Sequence, residues 1–167
     1  ASVAVTSVER LLSGDLTPDI EAFKKADKDT IPSFPPTLWI APAALDVPVA
    51  ATTDKDGKFQ LPGYGRERLV QLTVHAQGTE RRMLTAVTRP DDPDMAKKTF
   101  MQGVPFEVTL GPGKVITGKV TERLSGKPVA GVRVHAGQTI ATTDADGVYQ
   151  LDGVTKQKTH FIGVATP

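Results

Sequence analysis

The sequence predicts an all-β protein of two tandem β-sandwich modules, the first interrupted by an insertion that carries a short helix. Three observations lead there. The stretch "ATTDKDGKFQLPG" at 51–63 returns ninety residues later as "ATTDADGVYQLDG" at 141–153, with nine of thirteen positions identical. Apolar residues alternate with polar ones at period two around both copies, punctuated by Gly and Pro. Between the first strand and the first copy of the repeat lies an excursion too long for an ordinary loop.

Within each repeat, Ala-Thr-Thr reads as the end of a strand and Asp-x-Asp-Gly as a turn. Asp54 and Asp144 suit the capping position, where a carboxylate accepts backbone N–H bonds, and Asp56 and Asp146 complete the turn. Gly57 and Gly147 supply the positive φ that a type I turn with a bulge needs. Phe59 and Leu61, and Tyr149 and Leu151, alternate after the turn, so each copy reads as a β-hairpin. Outward from the repeat, Val3 and Val5 align with Val132 and Val134. Val70, Leu72 and Val74 align with His160, Ile162 and Val164.

The copies differ at their ends. The second opens with "KVITGKVTERLSGKPVAG", a strand and a Ser-Gly turn with no counterpart ahead of Ala1. The first continues through "RRMLTAVTR" (81–89) and "VPFEVTL" (104–110), which the second lacks before Pro167. The expected domains are therefore module 1 at 1–111, short of its first strand and with its insertion at 8–46, and module 2 at 112–167, short of its last. Inside the insertion, "TPDIEAFKKA" (17–26) reads as a helix, with Thr17 as cap, Pro18 in the first turn, acids early and lysines late. "IPSFPPTLWIAP" (31–42) follows as a Pro-rich extended segment with the sole tryptophan, Trp39.

Composition narrows the function. Twenty Lys and Arg against nineteen Asp and Glu leave a formal charge of +1, with no global pull toward nucleic acid or an acidic membrane surface. No apolar run reaches the roughly 20 residues of a membrane helix. Cysteine is absent, which excludes disulfides, thiol catalysis and thiolate metal sites. Asparagine is absent too, so no N-glycosylation sequon exists. A chain beginning at Ala1 reads as processed, or as part of a longer one.

The letters Gly118, Val120, Gly126-Lys127-Pro128-Val129, Gly131-Val132, Val134, Thr143-Asp144, Asp146-Gly147, Tyr149 and Leu151 resemble the carboxypeptidase regulatory-like domain. That family has a transthyretin-like (prealbumin-like, Ig-like) sandwich. The resemblance spans about 113–165, and 1–7 with 49–76 in the first copy. The tandem also resembles the multi-module surface proteins of planctomycete-type bacteria. The resemblance implies a folding and interaction module rather than an active site, placed outside the cell or in its envelope.

Candidate chemistry is sparse. As calcium loops, Asp54-Lys55-Asp56-Gly57 and Asp144-Ala145-Asp146-Gly147 lack an acid at the twelfth position, where Gly65 and Thr155 stand, so the turn reading is preferred. His75, His135 and His160 lack metal-ligand spacing. No serine sits in a nucleophile context, and no catalytic constellation, cofactor site or metal site is expected. An intramolecular isopeptide at Lys119 would need an Asp partner, because Asn is missing. Arg66, Arg68, Arg81 and Arg82 read as solvated strand-end charges. Trp39, Phe34 and Tyr64 are the candidate interaction residues. They form a sugar-facing platform on one reading, while on the preferred one Trp39 anchors the insertion to the sandwich.

The expected function is a non-catalytic structural or adhesive module of an extracellular or cell-envelope protein, whose missing strands are filled by strand addition between chains, lie in the rest of a longer protein, or complete each other within the chain. Self-association, as an oligomer or head-to-tail filament, or binding to other surface proteins then follows. The alternative is a carbohydrate-binding accessory module of a larger secreted protein, with polysaccharide as partner.

Overall fold

The computed structural model describes residues 1–26, 36–92, 95 and 101–165. Among the described residues strands account for 44% and helix for 9%, so they are mostly β. It divides into two units, Ala1–Val74 with Met83–Val108, and His75–Arg82 with Thr109–Pro167. The short segment at 75–82 belongs to the second unit because its backbone bonds run there. The Arg81 amide donates to the Gly153 carbonyl at 2.7 Å, and the Glu80 amide to that of Gly111 at 2.9 Å.

In the first unit, strands β1 (Ser2–Leu11), β2 (Thr37–Ile40), β3 (Ala50–Thr52), β4 (Leu69–His75), β5 (Arg82–Pro90) and β6 (Met101–Val104) build one sheet in the order β2-β1-β4-β5-β6. The long β1 serves two antiparallel partners in succession. Ser2–Ala4 pair with β3 and Val8–Leu11 with β2. The stretch 8–46, expected as an insertion, is thus woven into the sheet from its first residues. It also supplies core. Leu11, Leu16 and Ile20 pack with Leu69, Val87, Met95 and Met101, and Phe23 lies against them.

The helix α1 (Thr17–Lys25) forms where its sequence signals fall, with Pro18 in the first turn, Asp19 early, and Lys24 and Lys25 in the last turn. Its start differs from expectation. Thr17 is the first helical residue rather than the cap, and its amide donates to Asp15 Oδ1 at 2.9 Å. That bond, first among the causes, holds the Asp15 carboxyl below its ordinary value. The preceding amide, on Leu16, donates to Glu67 Oε2 at 3.1 Å. Arg89 Nη2 lies 3.5 Å from Glu67 Oε1 and 3.0 Å from the Thr17 hydroxyl. Glu67 reaches this position with φ at 55°, a left-handed conformation unusual for a side chain-bearing residue.

Glu67 therefore trades backbone strain for helix capping, and two substitutions separate the terms. Glu67→Ala is expected to destabilise by about 1–2 kcal/mol, since the Leu16 amide loses its acceptor. Glu67→Gly is expected to cost less, because glycine relieves the positive φ. Denaturant melts of both variants check the order.

The second unit holds β7 (Lys114–Lys119), β8 (Arg133–Ala136), β9 (Thr139–Thr142), β10 (Val148–Val154) and β11 (Ile162–Ala165). They form a two-stranded sheet, β10-β7, and a three-stranded sheet, β11-β8-β9. Side chains from both meet in one core: Val132, Val134 and Ala136 with Leu151 and Val154, flanked by Ile116, Val120 and Tyr149. Two glycines in these ladders lie under rings. Tyr149 faces Gly118 across β10-β7, and His135 faces Gly163 across β8-β11. A β-carbon on either glycine would overlap the ring opposite.

Candidate functional site

The two repeat turns form identical hydrogen-bond patterns. Asp54 Oδ1 accepts from the amides of Asp56 and Lys58, both at 2.9 Å, and Asp144 Oδ1 from those of Asp146 and Val148 at 3.0 and 2.8 Å. Gly57 and Gly147 take φ of 77° and 73°. In each turn the same carboxylate oxygen carries both backbone bonds, as a turn cap does. Among the described residues no group of three His, Asp or Glu is arranged to hold a metal ion.

Neither turn closes a hairpin, which corrects the expectation from sequence. In the second unit the strands on its two sides part company, β9 pairing with β8 and β10 with β7. The turn carries the chain from one sheet to the other. In the first unit the residues after Gly57 form no strand. Phe59 instead packs edge-on against Phe106, ring centroids 6.0 Å apart. The expected strand at 104–110 is likewise not formed beyond Val104.

Strand register refines the repeat. Ser2 pairs with Thr52 and Val3 with Ala51, while Arg133 pairs with Thr142 and Val134 with Ala141. The Thr53 amide donates to the Ala1 carbonyl and the Thr143 amide to that of Val132, each at 2.9 Å. Val3 therefore corresponds to Val134, not to Val132 as the letters suggest. The shift is two residues, so each side chain keeps its face.

With that correspondence the order β3-β1-β4-β5 of the first unit matches β9-β8-β11 of the second, and β11 ends the series where β4 has β5 beside it. The aligned side chains fare differently. Leu72 and Val74 on β4 are 3% and 4% exposed, whereas Ile162 and Val164 on β11 are 43% and 56% exposed. Yet Ile162 lies opposite Ala136 and Val164 opposite Val134, both core residues, so these side chains share the core-facing side of the sheet. Phe161, next to them, is 92% exposed. Residues 161–165 carry no charge and no proline, the usual protections of a sheet edge. Among the described residues, the outer edge of β11 has no strand partner. Sequence reasoning placed an incomplete module here and aligned His160, Ile162 and Val164 with the later strand of the first copy; β11 forms at Ile162–Ala165.

Of the candidate interaction residues, the described Trp39 and Tyr64 differ in setting, one exposed and the other buried. Trp39 lies on β2, largely exposed, so it does not anchor its segment; Leu16 and Ile20 do that. Tyr64 is buried and donates from its hydroxyl to the Pro48 carbonyl at 2.6 Å, and burial raises its pKa. Phe34, with Ile31, lies outside the described residues. Lys119 is exposed on β7, not in the buried setting an isopeptide partner requires. His75 Nε2 lies 4.0 Å from Asp152 Oδ2, and His135 is occupied over Gly163.

No protein-family model matches this chain, and neither a curated protein nor a solved structure shows significant similarity to it.

Proposed function

We propose that the chain is a non-catalytic structural module of an extracellular or cell-envelope protein, made of two related β-sandwich repeats of the carboxypeptidase regulatory-like kind, and that it self-associates by strand addition at β11. The observation that carries this reading is the state of Ile162 and Val164. They face the core side of their sheet and remain about half exposed, while their counterparts on β4 are covered. An apolar edge strand with unpaired backbone gains both hydrogen bonds and burial when a second strand joins it.

The donor is the same edge on a second copy. The first strand of the chain is held on both sides, by β2 and β3 on one and β4 on the other, and is not available for donation. Two β11 strands pairing antiparallel join the three-stranded sheets of two copies in a closed, two-fold arrangement.

The molar mass of the chain, measured by light scattering over roughly a hundredfold range of concentration, is expected to rise from monomer to dimer. Val164→Lys places a charge on the edge at an already half-exposed site. It should hold the chain monomeric at all concentrations while leaving its melting temperature nearly unchanged. A constant monomer mass in the unmodified chain would overturn the proposal.

A further inference from the structure

The sole tryptophan sits in a setting that its role in folding does not explain. Trp39 is 60% exposed on β2, a strand whose outer edge has no partner among the described residues. Directly across the ladder from it lies Glu9, and the Thr37 hydroxyl, on the same face, donates to Glu9 Oε2 at 2.8 Å. Residues directly opposite in an antiparallel pair hold their β-carbons about 5 Å apart. The half-buried carboxylate is thus oriented by Thr37 on the face of the ladder that carries the indole. Among the described residues no Lys, Arg or His lies within ion-pair reach of Glu9; the neighbouring Arg10 pairs with Leu38 on the opposite face of the ladder.

The geometry points to a recognition site for a basic side chain, presented by an extended peptide that adds to the outer edge of β2. An indole face attracts a cation through its ring quadrupole, and the neighbouring carboxylate, which has no ion-pair partner among the described residues, adds to the same field. A peptide strand beside β2 satisfies the unpaired backbone groups, and its alternate side chains fall on the Trp39–Glu9 face. A guanidinium or ammonium group there can lie over the indole while donating to the Glu9 oxygen that Thr37 leaves open. The ligand class is a β-extended segment carrying Arg or Lys. The β11 edge plays no part in this site.

Because the chain has one tryptophan, its emission reports on this site alone. The probe is a blocked peptide, Thr-Val-Arg-Val-Thr, titrated against the full chain at low salt, beside the same peptide with Gln in place of Arg and a soluble neutral glucan. The Arg peptide is expected to shift Trp39 emission saturably and to weaken with added salt. Replacing its Arg by Gln, or Glu9 by Gln in the protein, is expected to weaken binding about tenfold, the scale of a partly desolvated cation–π contact. Glu9→Gln keeps an acceptor for Thr37, and the Gln peptide tests the charge without altering the protein. Equal responses to the Arg and Gln peptides, a response to the glucan alone, or no response at millimolar peptide would each overturn the inference.

Discussion

Replacing Gly147 by alanine is expected to destabilise the second unit by several kcal/mol, whereas Gly57→Ala in the aligned turn is expected to cost only about 1 kcal/mol. Both glycines have the same positive φ and nearly the same turn bonds. Around Gly57 a β-carbon would meet nothing within 4 Å, so the left-handed backbone is the only penalty. At Gly147 it would overlap the Val120 carbonyl oxygen and lie 3.1 Å from both the Pro128 β-carbon and the Val129 amide nitrogen. The crowding partner is backbone and cannot swing aside. Moving it would also disturb the bond from the Val120 amide to the Gly147 carbonyl at 2.8 Å, and with it the start of β10. Overpacking of this kind typically adds 1–3 kcal/mol to the conformational term. Chemical denaturation of the two variants, followed separately, checks the contrast. Equal losses would mean that the approach of the 120–129 segment to Gly147 is not maintained in solution.

Leu16→Ala is expected to remove about 2–5 kcal/mol from the first unit, and Leu12→Ala to change it by no more than about 0.5 kcal/mol. The residues are four apart in the same connection between β1 and α1. Leu16 is fully buried among Leu11, Ile20, Leu69, Val87, Met95 and Met101, while Leu12 is 68% exposed. Alanine at 16 leaves a cavity at the junction of helix and sheet that the surrounding strands cannot close. Urea unfolding of each variant measures the difference. If both were silent, the stretch at 8–46 would behave as a detachable insertion; the expected loss treats it as core.

What could be read from the letters was the chemistry that closes within a few residues. Asp54 and Asp144 bond to amides two and four positions on, so Asp-x-Asp-Gly specifies its turn wherever it occurs. The helix at 17–25 was legible for the same reason, from Pro18 and the placement of its charges. Pairing partners were not legible. Period-two alternation says that Tyr149 and Leu151 share a face but not whether their strand returns along β9 or crosses to β7. The return strand of the first copy has the right pattern at Phe59 and Leu61, yet a pattern without a partner strand makes no ladder. Trp39 was assigned as an anchor because large aromatics are usually covered, and the cover went to Leu16 and Ile20, whose helical spacing concealed a role in the sheet's core. The open edge at β11 and the Glu9–Trp39 pair both depend on which strand lies beside which, and so became visible only with the ladders assigned.

The crossing of the second Asp-x-Asp-Gly turn between sheets changes how tolerant the protein is to alterations of length. In a hairpin, one added residue slips the register and turns every following side chain to the wrong face. Here β9 takes its register from β8, and β10 takes its own from β7. A residue gained or lost between Asp144 and Val148 would break the local bonds to Asp144 Oδ1 but leave both ladders in phase. Loop length and strand register are therefore separate variables at this point of the chain, and the connection can vary in size without scrambling the core on either side of it.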